Sequence, residues 1–222
     1  MQIIWKGQSC FQITAQVEKN LNINLVLDPF SEEIGLGTPK LEADILLITH
    51  SHSDHNNKKA VTSSKENTGF FVIDGPGEYD LNGVFVQGIS SWHDEKEGKE
   101  RGNNTIFTMD VEDLRICHLG DIWQKELTEK QVEEIGEVDI LMIPVGGTYT
   151  VDAKGAAKII SQIEPKIVIP MHFQIPKLKV KIDGVDDFLK VMGVKAEESQ
   201  AKISIKKKDL PEEGVKIFVL KN

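Results

Sequence analysis

Cysteine is scarce in this chain. Cys10 and Cys117 are the only two in 222 residues, too few for a disulfide framework, and both sit in apolar runs where buried free thiols are the commoner state. Long hydrophobic runs are missing too: none approaches the roughly 18 residues that a membrane span requires. The opening stretch MQIIWKGQSC has neither a basic leader nor an extended apolar core. It does not read as a signal peptide, and the cytoplasm is the expected location. Positive charge is in deficit, with 26 Lys and Arg against 35 Asp and Glu and a formal net charge of −9. Such a chain repels phosphate backbones, which argues against nucleic acid as a partner. No repeat, low-complexity tract or Pro/Gly/Ser linker divides the sequence, so one domain over residues 1–222 is expected. A composition of 40% hydrophobic and 27% charged residues excludes disordered and collagen-like classes.

What is present is strand-rich at first and mixed later. QIIW, FQITAQV and NINLVLD are β-type runs, the last stopped by Asp28-Pro29. ADILLIT (Ala43–Thr49) is apolar throughout, as for a strand covered on both faces. Gly69–Ile73 and Gly83–Ile89 read as further strands around the turn-rich DGPGEYDLNG, and HDEKEGKERGNN (His93–Asn104) reads as an exposed loop. TIFTMDV and LRICHLG follow as strands, then a helix TEKQVEEIG with Thr128 as N-cap, strand VDILMIPV, helix DAKGAAKIISQI capped by Asp152, and strand KIVIP. VDDFLKVMG reads as a helix, and ISIKK and VKIFVL close the chain as strands. Strands first and βα alternation afterwards predict an α/β architecture of sheets covered by helices.

The chemistry-bearing residues are histidines. Of six in the chain, three fall within HSHSDH, at His50, His52 and His55, directly after the apolar run ADILLIT. Alternate residues of extended chain share a side, so His50 and His52 can point together. Asp54 and His55 lie where the chain turns toward NNKKAV, read as a helix start. Imidazole and carboxylate are ligands that zinc, iron(II) and manganese(II) accept. A lone histidine is usually structural, but packing does not call for three beside an aspartate at the mouth of a buried strand. Asp121, in HLGD, and His172, just past KIVIP, also lie at predicted strand ends.

At these residues the chain resembles the metallo-β-lactamase-fold superfamily, whose signature is HxHxDH after a strand. It is also similar to the branch of zinc-dependent hydrolases that includes the L-ascorbate-6-phosphate lactonase-like proteins, through GQSCF, DPF, GPGEYD, RGNNT, HLGD, PVGGTYTVDA and IPMHF. The resemblance implies a four-layer αββα sandwich with metals at one edge between the sheets. It implies that His50 and His52 hold one cation with a third histidine, that Asp54, His55 and His172 hold a second, and that Asp121 bridges. His93 is favoured as the third histidine because it ends a predicted strand 28 residues before Asp121, a spacing consistent with the family pattern. His118 is assigned beside the metals or facing substrate, with a satisfied core histidine as the alternative. Asp54, Asp121 and His118 are the candidate catalytic residues.

Other residues carry weaker signals. Asp28 is a candidate to hold a ligand imidazole, or a turn aspartate before proline. Gly75, Gly77, Gly146 and Gly147 either let backbone approach the site or merely turn the chain. Tyr79, Thr148 and Tyr149 are unranked pocket candidates. The lysines of KLKVK and ISIKKK are read as solvated strand faces rather than as an anion site. The expected function is hydrolysis of a small ester, lactone or phosphodiester by water activated between two divalent cations, zinc first, with manganese and iron compatible with the same ligands. A small-molecule substrate is the expected partner, without membrane. Competing readings are a nuclease of the same fold, a di-iron redox protein, and a metal-stabilised binding or regulatory protein without turnover. Substrate identity is expected to reside in loops 95–104 and 146–151.

Overall fold

The computed structural model describes residues 1–65, 69–195 and 200–222. Its first sheet contains β1 (Gln2–Gly7), β2 (Cys10–Glu18), β3 (Leu21–Leu27), β5 (Ile45–Leu47), β7 (Phe71–Ile73) and β14 (Lys202–Ser204), in the order β14-β1-β2-β3-β5-β7. The second contains β8 (Gly77–Leu81), β9 (Val84–Trp92), β10 (Asn103–Val111), β11 (Leu114–His118), β12 (Ile140–Pro144), β13 (Ile167–Met171) and β15 (Lys216–Ile217), in the order β15-β13-β12-β11-β10-β9-β8. A separate ribbon pairs β4 (Leu41–Ala43) with β6 (Val61–Ser63).

Both sheets are part antiparallel and part parallel. β1, β2 and β3 form a meander, after which β5 and β7 join in parallel. In the second sheet β8 to β11 are antiparallel, while β12, β13 and β15 continue from β11 in parallel. This topology sends the C-terminal ends of β1, β3 and β5 to one edge of the first sheet, and those of β9, β11, β12 and β13 to one edge of the second. Strand-end loops are where open sheets gather functional groups. Two backbone hydrogen bonds join the sheets there, from Thr105 N to Thr49 O (2.9 Å) and from His172 N to Gln8 O (3.1 Å).

The core follows the strand pattern. β1 and β2 alternate buried and half-exposed positions, with Ile3, Trp5, Phe11 and Ile13 inward, while β12 and β13 are buried at every residue, as parallel strands covered on both faces are. α1 (Glu129–Ile135) begins with a capping box in which Thr128 accepts from Gln131 N. α2 (Ala153–Ile163) begins where Asp152 accepts from Gly155 N. With α3 (Val185–Met192) these are all the α-helices among the described residues. α1 packs on β9 and α2 on both other helices. The α/β sandwich of two sheets with helices outside is therefore present, with α1 on the second sheet and α2 against both other helices, and the first sheet's outer face shows half-exposed polar residues such as Gln12 and Thr14.

Three local expectations change. The run Ala43–Thr49 is not one strand: Asp44 breaks it, its carboxylate accepting from Asn24 N and Ser64 Oγ while the chain passes from the ribbon to β5. NNKKAV starts no α-helix. Asn57 is tied to Phe30 O and Pro29 O, a 3-10 turn covers Lys58–Ala60, and β-branched Val61 and Thr62 enter β6. The turn-rich GPGEYDLNG contains the edge strand β8, joined to β9 through Asn82-Gly83, both at positive φ. That is the two-residue hairpin that an Asn-Gly pair favours.

Candidate metal centre

The strand-end edge brings seven side chains together in two groups. His50, His52 and His93 form one; Asp54, His55, Asp121 and His172 form the other, and within each group one ligand atom per residue lies within 4.8 Å of all the others. Five of the six histidines are in these groups: three come from the HSHSDH segment, and His93 and His172 enter from the ends of β9 and β13. Asp121 follows β11. One atom spans the two groups: Asp121 Oδ2 is 3.1 Å from Nε2 of both His55 and His172 and 3.7 Å from Nε2 of His93.

Two of the three imidazoles of HSHSDH, those of His50 and His55, are oriented by a traceable chain of protons. Asp28 is buried and accepts from Thr49 N (2.8 Å) and Thr49 Oγ1 (2.7 Å). Since the Thr49 hydroxyl proton is committed to Asp28, its oxygen accepts from His50 Nδ1 at 2.9 Å. Asp28 Oδ2 also takes His55 Nδ1 at 2.8 Å. Both rings thus carry their protons on Nδ1 when neutral and turn Nε2 toward the cluster. Those two Nε2 atoms, with Nδ1 of His93 and Nδ1 of His172, are buried without a hydrogen-bond partner. Unpaired buried polar atoms are costly. The Nε2 atoms of His50 and His55, turned toward the cluster beside two carboxylates, fit a divalent cation that accepts nitrogen and oxygen ligands.

The turn between β1 and β2 supplies two residues that the sequence did not single out. The Gln8 amide nitrogen lies 2.9 Å from His172 Nε2 and 3.4 Å from Asp54 Oδ2. Ser9 Oγ donates to Asp121 Oδ1 at 3.1 Å, leaving Oδ2 to face the histidines. Gln8 O accepts from both Trp5 Nε1 and His172 N, and Trp5 packs on Phe173 with ring centroids 4.8 Å apart. The polar pair in GQSCF, between two β-type runs, was the available signal. On the opposite side Asn104 Oδ1 accepts from Asp121 N, while its amide donates to Ser91 Oγ and Leu119 O.

Close backbone approach explains two glycines. A Cβ on Gly146 would sit 2.2 Å from His172 O, and one on Gly120 would sit 2.2 Å from Asn104 Oδ1. Asp28 and His172 themselves adopt left-handed φ of 45° and 50°, a conformation that costs an L-residue about 1–2 kcal/mol. Both are held there by the contacts just described.

The electrostatics are set by burial against charge. Burial pushes His50 down to about 2 and His93 to about 4, so both rings are neutral with free lone pairs. Burial opposes a charge on His55 as well, but the surrounding Asp121, Asp54 and Asp28 outweigh it and hold its pKa well above the ordinary value. Burial would raise Asp54 and Asp121; His55 for the first, and His172 and His55 for the second, hold both carboxyls below the usual range.

His118 is not brought to the cluster. Gly120 N donates to its Nδ1 (3.1 Å), so its proton is on Nε2, which donates to Ser9 O at 2.9 Å. The ring is fully buried, edge-on to Phe11. Both nitrogens are spent on the backbone of the residues that flank and hold Asp121, which leaves none for a metal or a substrate. Cys10 and Cys117 are free and buried, and burial raises both thiols.

A cleft of about 610 Å³ opens over the cluster, with His52, Asp54, His93, Asp121 and His172 in its floor. Loop 93–102 forms one wall and is built on Asp94, a buried carboxylate that accepts from the backbone N–H of Lys96, Gly98, Glu100 and Arg101. Burial alone would raise Asp94, yet these four donors bring it down to about 2. The stretch read as an exposed loop is therefore an ordered one. Tyr149 also lines the cleft; Thr148 opens onto a different pocket, and Tyr79 packs on Phe71 at the sheet edge. The KLKVK lysines are not on a strand, and Lys179 and Lys181 line the cleft. The ISIKKK lysines are not on a strand either: Lys206 precedes the 3-10 turn Lys207–Asp209, which holds Lys207 and Lys208, and Lys207 pairs with Asp139 at the surface.

Sheet sandwich, strand-end ligands and carboxylate-imidazole clusters together define a metallohydrolase architecture. A family described as the beta-lactamase superfamily domain matches residues 2–172, and the chain belongs to that superfamily. Within it, the chain is 31% identical over 198 residues to a UPF0173 metal-dependent hydrolase of Thermoplasma volcanium, covering 78% of this chain and 83% of the relative. It is 26% identical over 220 residues to a UPF0173 metal-dependent hydrolase of Thermococcus onnurineus, covering 89% and 94%. Among solved structures, a protein of Thermotoga maritima described as a Zn-dependent hydrolase of the metallo-β-lactamase superfamily superposes with a TM-score of 0.77 at 34% identity, covering 99% of this chain and 98% of that one. The chain is a metal-dependent hydrolase of this fold. Among the described residues no helix is long and apolar enough to cross a membrane.

Proposed function

We propose that the chain is a dinuclear hydrolase of small esters, lactones or phosphodiesters. His50, His52 and His93 would hold one divalent cation, Asp54, His55 and His172 a second, and Asp121 would be shared. The observation that carries this reading is the position of Asp121 Oδ2, within 3.7 Å of histidine nitrogens from both groups. Two bound cations, zinc foremost, supply Lewis acidity that polarises a substrate carbonyl or phosphoryl oxygen and lowers the pKa of water toward neutrality.

The chain's own residues do the remainder. Asp28 and Thr49 fix the tautomers of His50 and His55, so that each Nε2 lone pair is aimed before any ligand arrives. Ser9 fixes the rotation of Asp121. Asp54 is half-buried and faces the cleft, where it can take a proton from an incoming nucleophile or return one to a leaving group. No Ser-His or Cys-His pair is needed, and the raised thiol of Cys117 makes it inert.

Metal content per chain, measured by mass spectrometry on protein purified without added metal or chelator, tests the reading. Two equivalents of zinc or manganese are expected, falling to one or fewer in Asp121→Ala, with hydrolysis of a chromogenic ester or phosphodiester reduced at least about 100-fold. Full metal content and full rate in Asp121→Ala would remove the shared-ligand assignment. One equivalent in the unaltered chain would remove the dinuclear one.

A further inference from the structure

We infer that the rim of this cleft is an anion subsite formed by Arg101, Lys179 and Lys181, and that the substrate carries a non-reacting carboxylate or phosphate. This rests on the hydrolase reading above and adds the chemical class of its substrate.

The chain has only two arginines, and they are held in different ways. Arg115 is neutralised, its Nε and one terminal nitrogen donating to the two oxygens of Asp110 at 2.8 and 2.9 Å. Arg101 makes no ion pair among the described residues. Its guanidinium carbon instead lies 4.6 Å from the ring centre of Tyr149 and 5.4 Å from that of Trp123. Stacking uses the faces of the guanidinium and leaves its in-plane N–H donors unspent. It also fixes a side chain that would otherwise lose much rotamer freedom on binding. The backbone beneath is fixed as well, because Arg101 N donates to the buried Asp94.

The opposite wall shows the same design in a loop. Residues 173–183 leave His172 and return on themselves, Gln174 N donating to Asp183 O and the Gln174 side chain to Ile175 O and Leu178 O. Lys179 N donates to Ile34 O at 2.8 Å. A Cβ on Gly35 would lie 2.3 Å from Lys177 O, so the loop is seated directly on the neighbouring turn. Lys179 and Lys181 line the cleft and make no ion pair among the described residues. The one carboxylate outside the metal cluster in this lining is Glu33, and it makes none either.

Three uncommitted cations on two ordered loops of a chain with net charge −9 concentrate positive potential at a single opening. A cleft of low-dielectric walls focuses that potential. Arg101 presents the planar fork that carboxylate and phosphate accept, and the lysines add point charges. The bland alternative, solvated surface cations, does not account for an arginine held by two aromatic rings beside a metal cluster.

Calorimetric titration with glycerol 3-phosphate, glycerate and glycerol tests the subsite on the metal-loaded protein and on protein stripped with chelator. Glycerol 3-phosphate or glycerate is expected to bind, and glycerol not to. Arg101→Ala should weaken binding at least 10-fold, Arg101→Lys should restore part of it, and Lys179→Ala/Lys181→Ala should weaken it about 3- to 10-fold with a reduced salt dependence. The preference between the two anions distinguishes a phosphate substrate from a carboxylate one. Trp123 fluorescence should report binding in the unaltered protein, since Arg101 lies against it. Unchanged binding in both the arginine and the double lysine variants would overturn the subsite, as would no binding of either anion by the unaltered protein. Binding abolished by chelator alone and indifferent to Arg101 would mean that the anion sits on the metals, and would overturn it too. None of these outcomes bears on metal content or on the Asp121→Ala result, so the two readings fail separately.

Discussion

The floor and the rim of the cleft are built on opposite principles. The floor residues follow strand ends and are largely buried, and several are fixed in orientation by partners on their other atoms, as Asp28 fixes His55 and Ser9 fixes Asp121. The rim residues are exposed or half-exposed, stand on loops, and are fixed through their backbones while their charged heads stay uncommitted. Rigid placement at the floor suits chemistry, which needs ligand atoms held to within fractions of an ångström. A charged rim on ordered loops suits selection among substrates, which loop variation can retune without disturbing the sheets.

The largest effect that would sharpen this contrast is expected from Asp28→Asn. The asparagine keeps the shape, but the charge facing the His55 ring is lost and one acceptor becomes a donor. Metal affinity should fall about 10- to 100-fold, as for other outer partners of ligand histidines, with competition against a chromophoric chelator as the measurement. The anion affinity of the rim in chelator-stripped protein should stay as it was. If Asp28→Asn left metal affinity untouched, the floor would not depend on its hydrogen-bonded support.

Asp94→Ala should come next and should break the contrast, because Asp94 serves both regions. Its carboxylate holds the loop that begins at His93 and ends at Arg101. Removing four acceptor contacts should cost about 1–3 kcal/mol of stability, since the freed N–H groups can reach water once the loop loosens. Thermal denaturation reads that loss. Titrations should show weaker binding of both metal and anion, whereas Asp28→Asn changes the metal alone. A variant that lost only stability would separate the loop from both functions.

The same contrast decides what was legible in the sequence. HSHSDH was readable because imidazole is uncommon and three in six residues at the end of an apolar run have no packing use. Asp121 and His172 were reachable because each follows a strong strand signal. The rim was not readable, since Arg101, Lys179 and Lys181 are ordinary polar-loop residues whose meaning comes from which wall they meet. KLKVK alternates like a strand, and only the Gln174-Asp183 closure makes it a loop. The NNKKAV helix failed because Asn57 is bonded to Phe30 and Pro29, 27 and 28 residues earlier, a tertiary contact that local propensity does not contain. β8 was missed although its Asn82-Gly83 turn was in view, because glycine and proline density masked a five-residue edge strand.

The smallest effect concerns His118, where strand parity and chemistry pointed in different directions. Its residue type suggested a catalytic place, and its inward parity suggested the core. The ring bonds Ser9 O with one nitrogen and accepts from Gly120 N with the other, so it holds the two segments that hold Asp121. His118→Leu keeps much of the volume and leaves that carbonyl and that amide unpaired, at a cost of about 1–3 kcal/mol in a denaturation experiment. Metal stoichiometry should be unchanged, and hydrolysis should fall far less than in Asp121→Ala. A pH profile separates the two roles: a proton-transferring His118 would lose one limb of the profile on substitution, whereas a ring that only positions Ser9 and Gly120 would leave its shape intact.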